Sequence, residues 1–230
     1  MMRIPVFTAV LCLTACGGRT GPMQHETRSI ERDSSETMII ELRMGAGTLR
    51  LSGGSPNWMQ GEFAYDVPSW KPNVQYSAPG GHGYLTIEQP DSSETHRAST
   101  ANEWDVRINN EIPTDLTARI GAGEARLEVG SVSLRSLQIE MGAGELRLDL
   151  RGAPTRNYDV HVRAGAGETT VYLPRDAGVY AKAVGGLGEI KAQGLRAEGE
   201  HWVNDAYGKS KVQIRVDVQG GVGAINLIGQ

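Results

Sequence analysis

Apolar and polar residues alternate with a period of two along most of the chain from Met38 onward, the signature of strands with one face turned to a core. Around the middle of the sequence, Leu137, Ile139 and Met141 alternate with Gln138 and Glu140, and Leu146, Leu148 and Leu150 alternate with Glu145, Arg147 and Asp149. Gly142-Ala143-Gly144 stands between the two runs. Met141 and Leu146 are five apart, and in an uninterrupted strand an odd separation places two residues on opposite faces. One apolar set would then be thrown into solvent, so the joint has to shift the phase by one residue. A bulge or sharp corner does this, and glycine supplies the positive φ or the close backbone approach that such a corner needs.

The joint recurs. Its first glycine falls at Gly45, Gly121, Gly142, Gly165, Gly186 and Gly221, and the three middle intervals are 21, 23 and 21 residues. The five-residue offset separates Met44 from Leu49 and Ile120 from Ala125 as well. A near-constant spacing predicts repeats that stack on their neighbours, each too small to bury its own apolar face. The predicted fold is therefore all-β, a parallel β-solenoid of roughly 21- to 23-residue repeats, with Leu51, Leu127, Leu148, Val171, Ala192 and Leu227 at one equivalent inward position.

The long interval before Gly121 predicts an N-terminal hairpin elaboration. Gly61–Val67 and Glu103–Asn109 read as strands, Asn73–Gln89 as a hairpin around Pro79-Gly80-Gly81, and Pro90–Asn102 as an exposed loop. Trp58, Trp70 and Trp104 in this part either cover an open end of the stack or mark a binding surface. Ala197–Val212 departs from the repeat and reads as a cap or inserted loop, with Trp202 and Tyr207 packing in it. The body thus divides into an N-terminal elaboration with the first repeat, 38–115, and C-terminal repeats, 116–230.

Residues 1–15 have the layout of an export signal, with Arg3 followed by an apolar run from Ile4 to Leu13. That run is too short to span a bilayer. The ending Leu13-Thr14-Ala15-Cys16 resembles the bacterial lipoprotein box, in which the cysteine is acylated and becomes the first residue. Residues 16–37 are polar and without period, which predicts a flexible tether between a membrane-held lipid anchor and a folded body. The expected location is the cell envelope, on the outer membrane facing the periplasm where a cell has two membranes. Cleavage would leave Cys16 as the sole cysteine, so the body is expected to hold together without disulfides.

Aromatic residues are 6% of the chain and glycines number 30, so the core is expected to be built of small aliphatic side chains. The net charge is -4 with both signs interleaved, which gives no reason to expect nucleic acid as a partner. The five histidines are scattered, and neither HExxH nor GxSxG occurs, so no catalytic residue and no cofactor is predicted. Stacking would align Glu124, Glu145, Glu168 and Glu189. Carboxylates about 5 Å apart repel by about 3 kcal/mol at an effective dielectric of 20. Two things could offset that repulsion: a parallel basic row of Arg126, Arg147 and Lys191, or a hard cation such as calcium bridging neighbouring glutamates.

The repeated Gly-Ala-Gly-Glu corners, the segment Asn102–Asn109, Leu134–Leu150 and the ending Asn204–Ile228 resemble the toast-rack domains of LiaF-like bacterial envelope proteins. The resemblance covers about Thr37 to Gln230. It implies a stacked β architecture in proteins linked to cell-envelope stress or two-component signalling, with no established catalytic residue. Such proteins usually hang the domain on transmembrane helices, whereas this chain has a lipoprotein box, so direct transmembrane kinase inhibition does not carry over. The expected function is non-catalytic binding of an envelope protein or cell-wall polymer, through the outward face near Glu145 and Arg147 or through Trp58 and Trp70. The alternatives are a polysaccharide-binding or polysaccharide-processing β-helix protein and a scaffold that self-stacks through its end coils.

Overall fold

The computed structural model describes residues 21–90 and 101–230. Its strands are β1 (Gln24–Ile30), β2 (Thr37–Gly53), β3 (Met59–Tyr65), β4 (Asn73–Ser77), β5 (His82–Glu88), β6 (Asn102–Ile108), β7 (Thr114–Glu128), β8 (Leu134–Asp149), β9 (Tyr158–Leu173), β10 (Gly178–Leu187), β11 (Ile190–Gln193), β12 (Arg196–Glu198), β13 (His201–Val203), β14 (Gln213–Val222) and β15 (Ile225–Gly229). They form one mixed, all-β sheet. Every Gly-x-Gly joint lies either within a long strand, as in β2, β7, β8 and β9, or at the break between β10 and β11 or β14 and β15.

Ahead of the joints the strands pair in parallel in the order β2-β7-β8-β9-β14-β10. Behind them the order is β2-β7-β8-β9-β15-β11. The joints thus join two wings of the sheet. Met44 and Leu49, Ile120 and Ala125, and Met141 and Leu146 are buried on either side of their joints. Both wings therefore turn their apolar faces to one core.

The two glycines of each joint divide the work. The second one, Gly47, Gly123, Gly144, Gly167, Gly188 or Gly223, has φ between +125° and +144°, and this flip supplies the one-residue phase shift. The first one permits contact: a Cβ on Gly142 would stand 2.4 Å from the carbonyl oxygen of Gly121. The corner positions are consequently stacked backbone on backbone, with no room for a side chain between strands.

At the β2 end the wings separate. β5 adds in parallel to Thr37–Arg43 and carries β4 antiparallel, closing the expected hairpin, whereas β6 adds in parallel to Thr48–Gly53 and carries β3 and then β1 antiparallel. At the far end β13 pairs with Tyr180 and Ala181 of β10, and β12 pairs with β13. Asn204, buried after β13, fastens this cap: its side-chain oxygen accepts from the Val179 N–H at 2.9 Å and its amide donates to the carbonyls of Pro174 and Ala177 at 3.0 and 2.7 Å.

Several sequence expectations are revised. Stacking in simple chain order would place β10 next to β9, but β14 lies between them, so the inward row reads Leu51, Leu127, Leu148, Val171, Leu227, Ala192. Residues 16–37 are not tether throughout, because Gln24–Ile30 is an edge strand paired along its whole length with β3. It shows no apolar period because most of its side chains are solvated; Glu26 within it pairs with Arg28 and Lys71. Trp58 and Trp104 are buried in the main core, which favours the end-covering role for them, while Trp70 packs in a small cluster with Tyr65 and Val67 and also lines the groove described below. Residues 1–15, Cys16 and most of the predicted loop 90–102 lie outside the described residues.

Candidate binding groove

A groove of about 1570 Å³ runs across the joints on the outer face of the sheet. Its floor is the glycine ladder together with Ala46 and Ala122, which leaves backbone where side chains would otherwise stand. One bank is the outward position two residues before each first glycine. In stacking order this bank reads Arg43, Arg119, Glu140, Arg163 and Gln219, with Glu88 of β5 beside Arg43. Thr48 and Glu124, each the residue after a second glycine, line the other side, and Glu145 and Glu168 stand in register with them on the following strands, outside the groove lining. The first bank mixes three arginines with Glu88 and Glu140, and Glu124 is the charged residue of the other.

The β2 end of the groove is fastened by side chains. Gln89 Oε1 accepts from the backbone N–H groups of Gly45 and Ala46 at 2.9 and 3.2 Å, and the Asn102 amide donates to the Ala46 carbonyl at 2.7 Å. Asn102 is itself fixed, since its Oδ1 accepts from the Trp104 indole at 3.0 Å. The arginine bank is tied by ion pairs. Arg43 bonds Glu41 at 2.7 Å and Glu88 at 3.3 Å, and Arg119 bonds Glu41 and, at 3.3 Å, Glu140. The Arg43 hydrogen bond, helped by the charges of Arg43 and Arg119, holds the Glu41 carboxyl below the usual carboxylate range against a smaller opposing effect of burial. These pairs are exposed and add little stability, but they order the bank. Arg163 continues the row with no carboxylate within ion-pair distance among the described residues.

The structure brings some of the predicted site residues together and separates others. Glu124, Glu145 and Glu168 are neighbours, but Glu189 is not, because Ala224 falls between it and Glu168 when β15 inserts between β9 and β11. Glu168 accepts from the Asn226 amide at 2.8 Å, and Glu189 pairs with Lys191 at 2.9 Å. Among the described residues no group of three or more His, Cys, Asp or Glu side chains is arranged to hold a metal ion. The basic row keeps Arg126 and Arg147 and gains Arg50 in register with them, but Thr170 and Asn226 separate Lys191 from it, and the Arg147 guanidinium lies 4.6 Å over the Tyr172 ring. Glu145 and Arg147 are exposed beside the groove, whereas Trp58 is spent on the core, with its indole donating to Asp33 at 3.0 Å. The bank formed by Arg43, Arg119 and Arg163 escaped the reading of the sequence. Its signal was an arginine two residues before the first glycine in three of the joints.

The family description "N-terminal domain of toast_rack, DUF2154" matches residues 19–172, more than half of the chain. The chain belongs to the toast-rack family. A solved structure from Clostridium sporogenes ATCC 15579, provisionally named a cell adhesion protein, is 36% identical, covers 90% of this chain and 100% of its own, and superposes with a TM-score of 0.87. A structure from Bacteroides fragilis NCTC 9343, provisionally named an adhesin, covers 89% of this chain and 96% of its own, at 10% identity and a TM-score of 0.33, too low to bear on the fold. Among curated proteins none matches this chain. No helix among the described residues is long and apolar enough to cross a membrane.

Proposed function

We propose that this toast-rack protein is a lipid-anchored, non-catalytic component of the bacterial cell envelope that binds an extended partner along the corner groove, in adhesion or scaffolding. The six joints are read as coils of a short solenoid, and Cys16 as the acylated residue that holds them near a membrane, the outer membrane in cells that have two. The observation that carries the reading is the groove itself. It crosses six strands, a span of about 24 Å at normal strand spacing. It is floored by exposed backbone and edged by charges of both signs, three arginines among the carboxylates of Glu88, Glu124 and Glu140. A ligand that fits such banks is elongated and carries both signs, as a protein segment or a peptide-bearing wall polymer does. The adhesion name of the Clostridium relative supports the same direction, and a role in sensing envelope stress would use the same surface.

The test is retention of the purified chain on isolated cell-wall sacculi and on solubilised membrane proteins. Reversing Arg163 to Glu or Glu124 to Lys is expected to weaken retention at least tenfold, about 1.4 kcal/mol, with the fold intact because both side chains are exposed. Retention indifferent to both reversals would reject the groove as the binding surface. Fatty-acid labelling that survives Cys16→Ala would reject the anchor.

A further inference from the structure

A second cavity, of about 360 Å³, lies where β9 and β14 begin, on the outer face and away from the joints. Its size is within the usual range for a small-molecule pocket, about 300–1,000 Å³. Asp159 in its lining comes four residues before Arg163 of the groove on the same face of β9, about 13 Å away, so the two sites are separate. Tyr207, from the turn after β13, lines the cavity with its ring 38% exposed. That turn is held in place. The Tyr207 N–H donates to the Asn204 carbonyl at 3.2 Å, and the Gln213 side chain accepts from the Gly208 N–H at 3.5 Å and donates to the Ser210 carbonyl at 2.6 Å. Tyr180 stands beside it, with ring centroids 6.1 Å apart, and is itself stacked on His201 at 4.3 Å. The cavity thus has a fixed aromatic wall.

The polar lining is unusual for this protein, whose charged side chains are mostly paired. Asp159 and Arg215 are register neighbours on strands about 4.8 Å apart, yet neither has an ion-pair partner among the described residues. Arg215 lies instead 5.7 Å over the Tyr180 ring. Asn157 accepts from the Gln213 N–H at 2.8 Å through its Oδ1, which leaves its amide N–H groups unused. Arg135, also in the lining, pairs with Asp115 at 3.1 Å. We propose that this cavity binds a neutral sugar ring of a glycan. A carboxylate only accepts hydrogen bonds, whereas guanidinium and amide N–H groups only donate. An anion is repelled by Asp159 and a cation by Arg215 and Arg135. A hydroxyl both donates and accepts, and a sugar carries several side by side, so neighbouring hydroxyls satisfy Asp159 and Arg215 together while the Asn157 amide donates to a further oxygen. The C–H face of the ring is apolar and covers Tyr207. A peptide also offers donors and acceptors, but its backbone would find no strand edge here, because β14 runs between β9 and β10, and β9 between β8 and β14.

The test is a screen of the purified chain against immobilised neutral oligosaccharides of hexose and N-acetylhexosamine units, with free amino acids and dipeptides as competitors, followed by calorimetry on the strongest binder. Capture of a neutral oligosaccharide is expected, undiminished by the competitors. Tyr207→Ala and Asp159→Ala should each weaken it at least tenfold, and Arg163→Glu in the groove should leave it within about twofold. All three side chains are exposed, so circular dichroism and melting temperature should not change. No oligosaccharide captured, capture abolished by the amino acids or dipeptides, or an affinity that either Tyr207→Ala or Asp159→Ala leaves unchanged overturns the proposal. The oligosaccharides carry no peptide and Arg163 lies outside the cavity, so these outcomes are independent of whether the groove retains a ligand.

Discussion

Replacing Gly144 by alanine places one methyl group at the centre of the ladder. Gly144 has φ +127°, and the new Cβ would stand 1.9 Å from the Gly123 carbonyl oxygen, with Gly167 stacked on the other side. The backbone conformation alone costs a non-glycine residue about 1–3 kcal/mol. The clash cannot be relieved by a rotamer change, because the obstacle is backbone, so β7 and β8 must part by more than 1 Å, and each hydrogen bond weakened between them removes about 1 kcal/mol. Together this gives about 3–5 kcal/mol, a large share of the roughly 5–15 kcal/mol that holds a domain folded. Gly54→Ala is the control. Its φ of +97° is also positive, but nothing lies within 4 Å of its Cβ, so only the conformational cost applies. Urea unfolding followed by circular dichroism compares the two. The reasoning is refuted if Gly144→Ala destabilises by no more than Gly54→Ala, since the ladder would then have slack for a side chain.

Three other outcomes follow from the packing. Leu148→Ala, at a fully buried point of the inward row, should lower stability by about 2–5 kcal/mol, whereas Ile39→Ala on the outer face should change it by less than about 0.5 kcal/mol; thermal melts decide. Asn204→Ala removes the groups that bond Val179, Pro174 and Ala177 and should cost about 2–4 kcal/mol, with hydrogen exchange rising first at β13 and the start of β10. Asp33 is held well below the usual carboxylate range by hydrogen bonds from Ser35, Tyr76 and Trp58. A folded pKa below the unfolded one adds stability that is present above the unfolded value, about 4, and is lost as pH falls through the folded value. Acidification below pH 4 should therefore lower the melting temperature less in Asp33→Asn than in the parent chain, and equal slopes would show that Asp33 is not linked to folding.

The corners were legible because an odd apolar separation has one remedy, a phase shift, and Met141 and Leu146 could not share a core without it. What the sequence could not show is which copy stacks on which. Val171 accepts Leu227 as readily as Ala192, so the apolar pattern is silent on the exchange of β14 and β10 in the stack. β1 was hidden for a different reason: its pairing with β3 is carried by backbone groups, which leave no mark on a run as polar as Gln24–Ile30. The tryptophans were ambiguous because an aromatic that closes a stack and one that grips a partner look alike until burial is known. The groove was half visible. Glu124 lay beside the corner glycines, while the arginine bank had to be read two residues upstream, across the buried position that separates it from the joint.

The insertion of β14 between β9 and β10 also sets an order of events. β10 leaves the ribosome before β14, yet its place beside β9 is taken by a strand made some thirty residues later. A nascent chain that has reached β10 can dock it on β9 only in a pairing that must later be undone, so native assembly has to wait until Gln213–Val222 is available. Delayed closure of this kind slows folding, because the decisive contacts are remote in sequence.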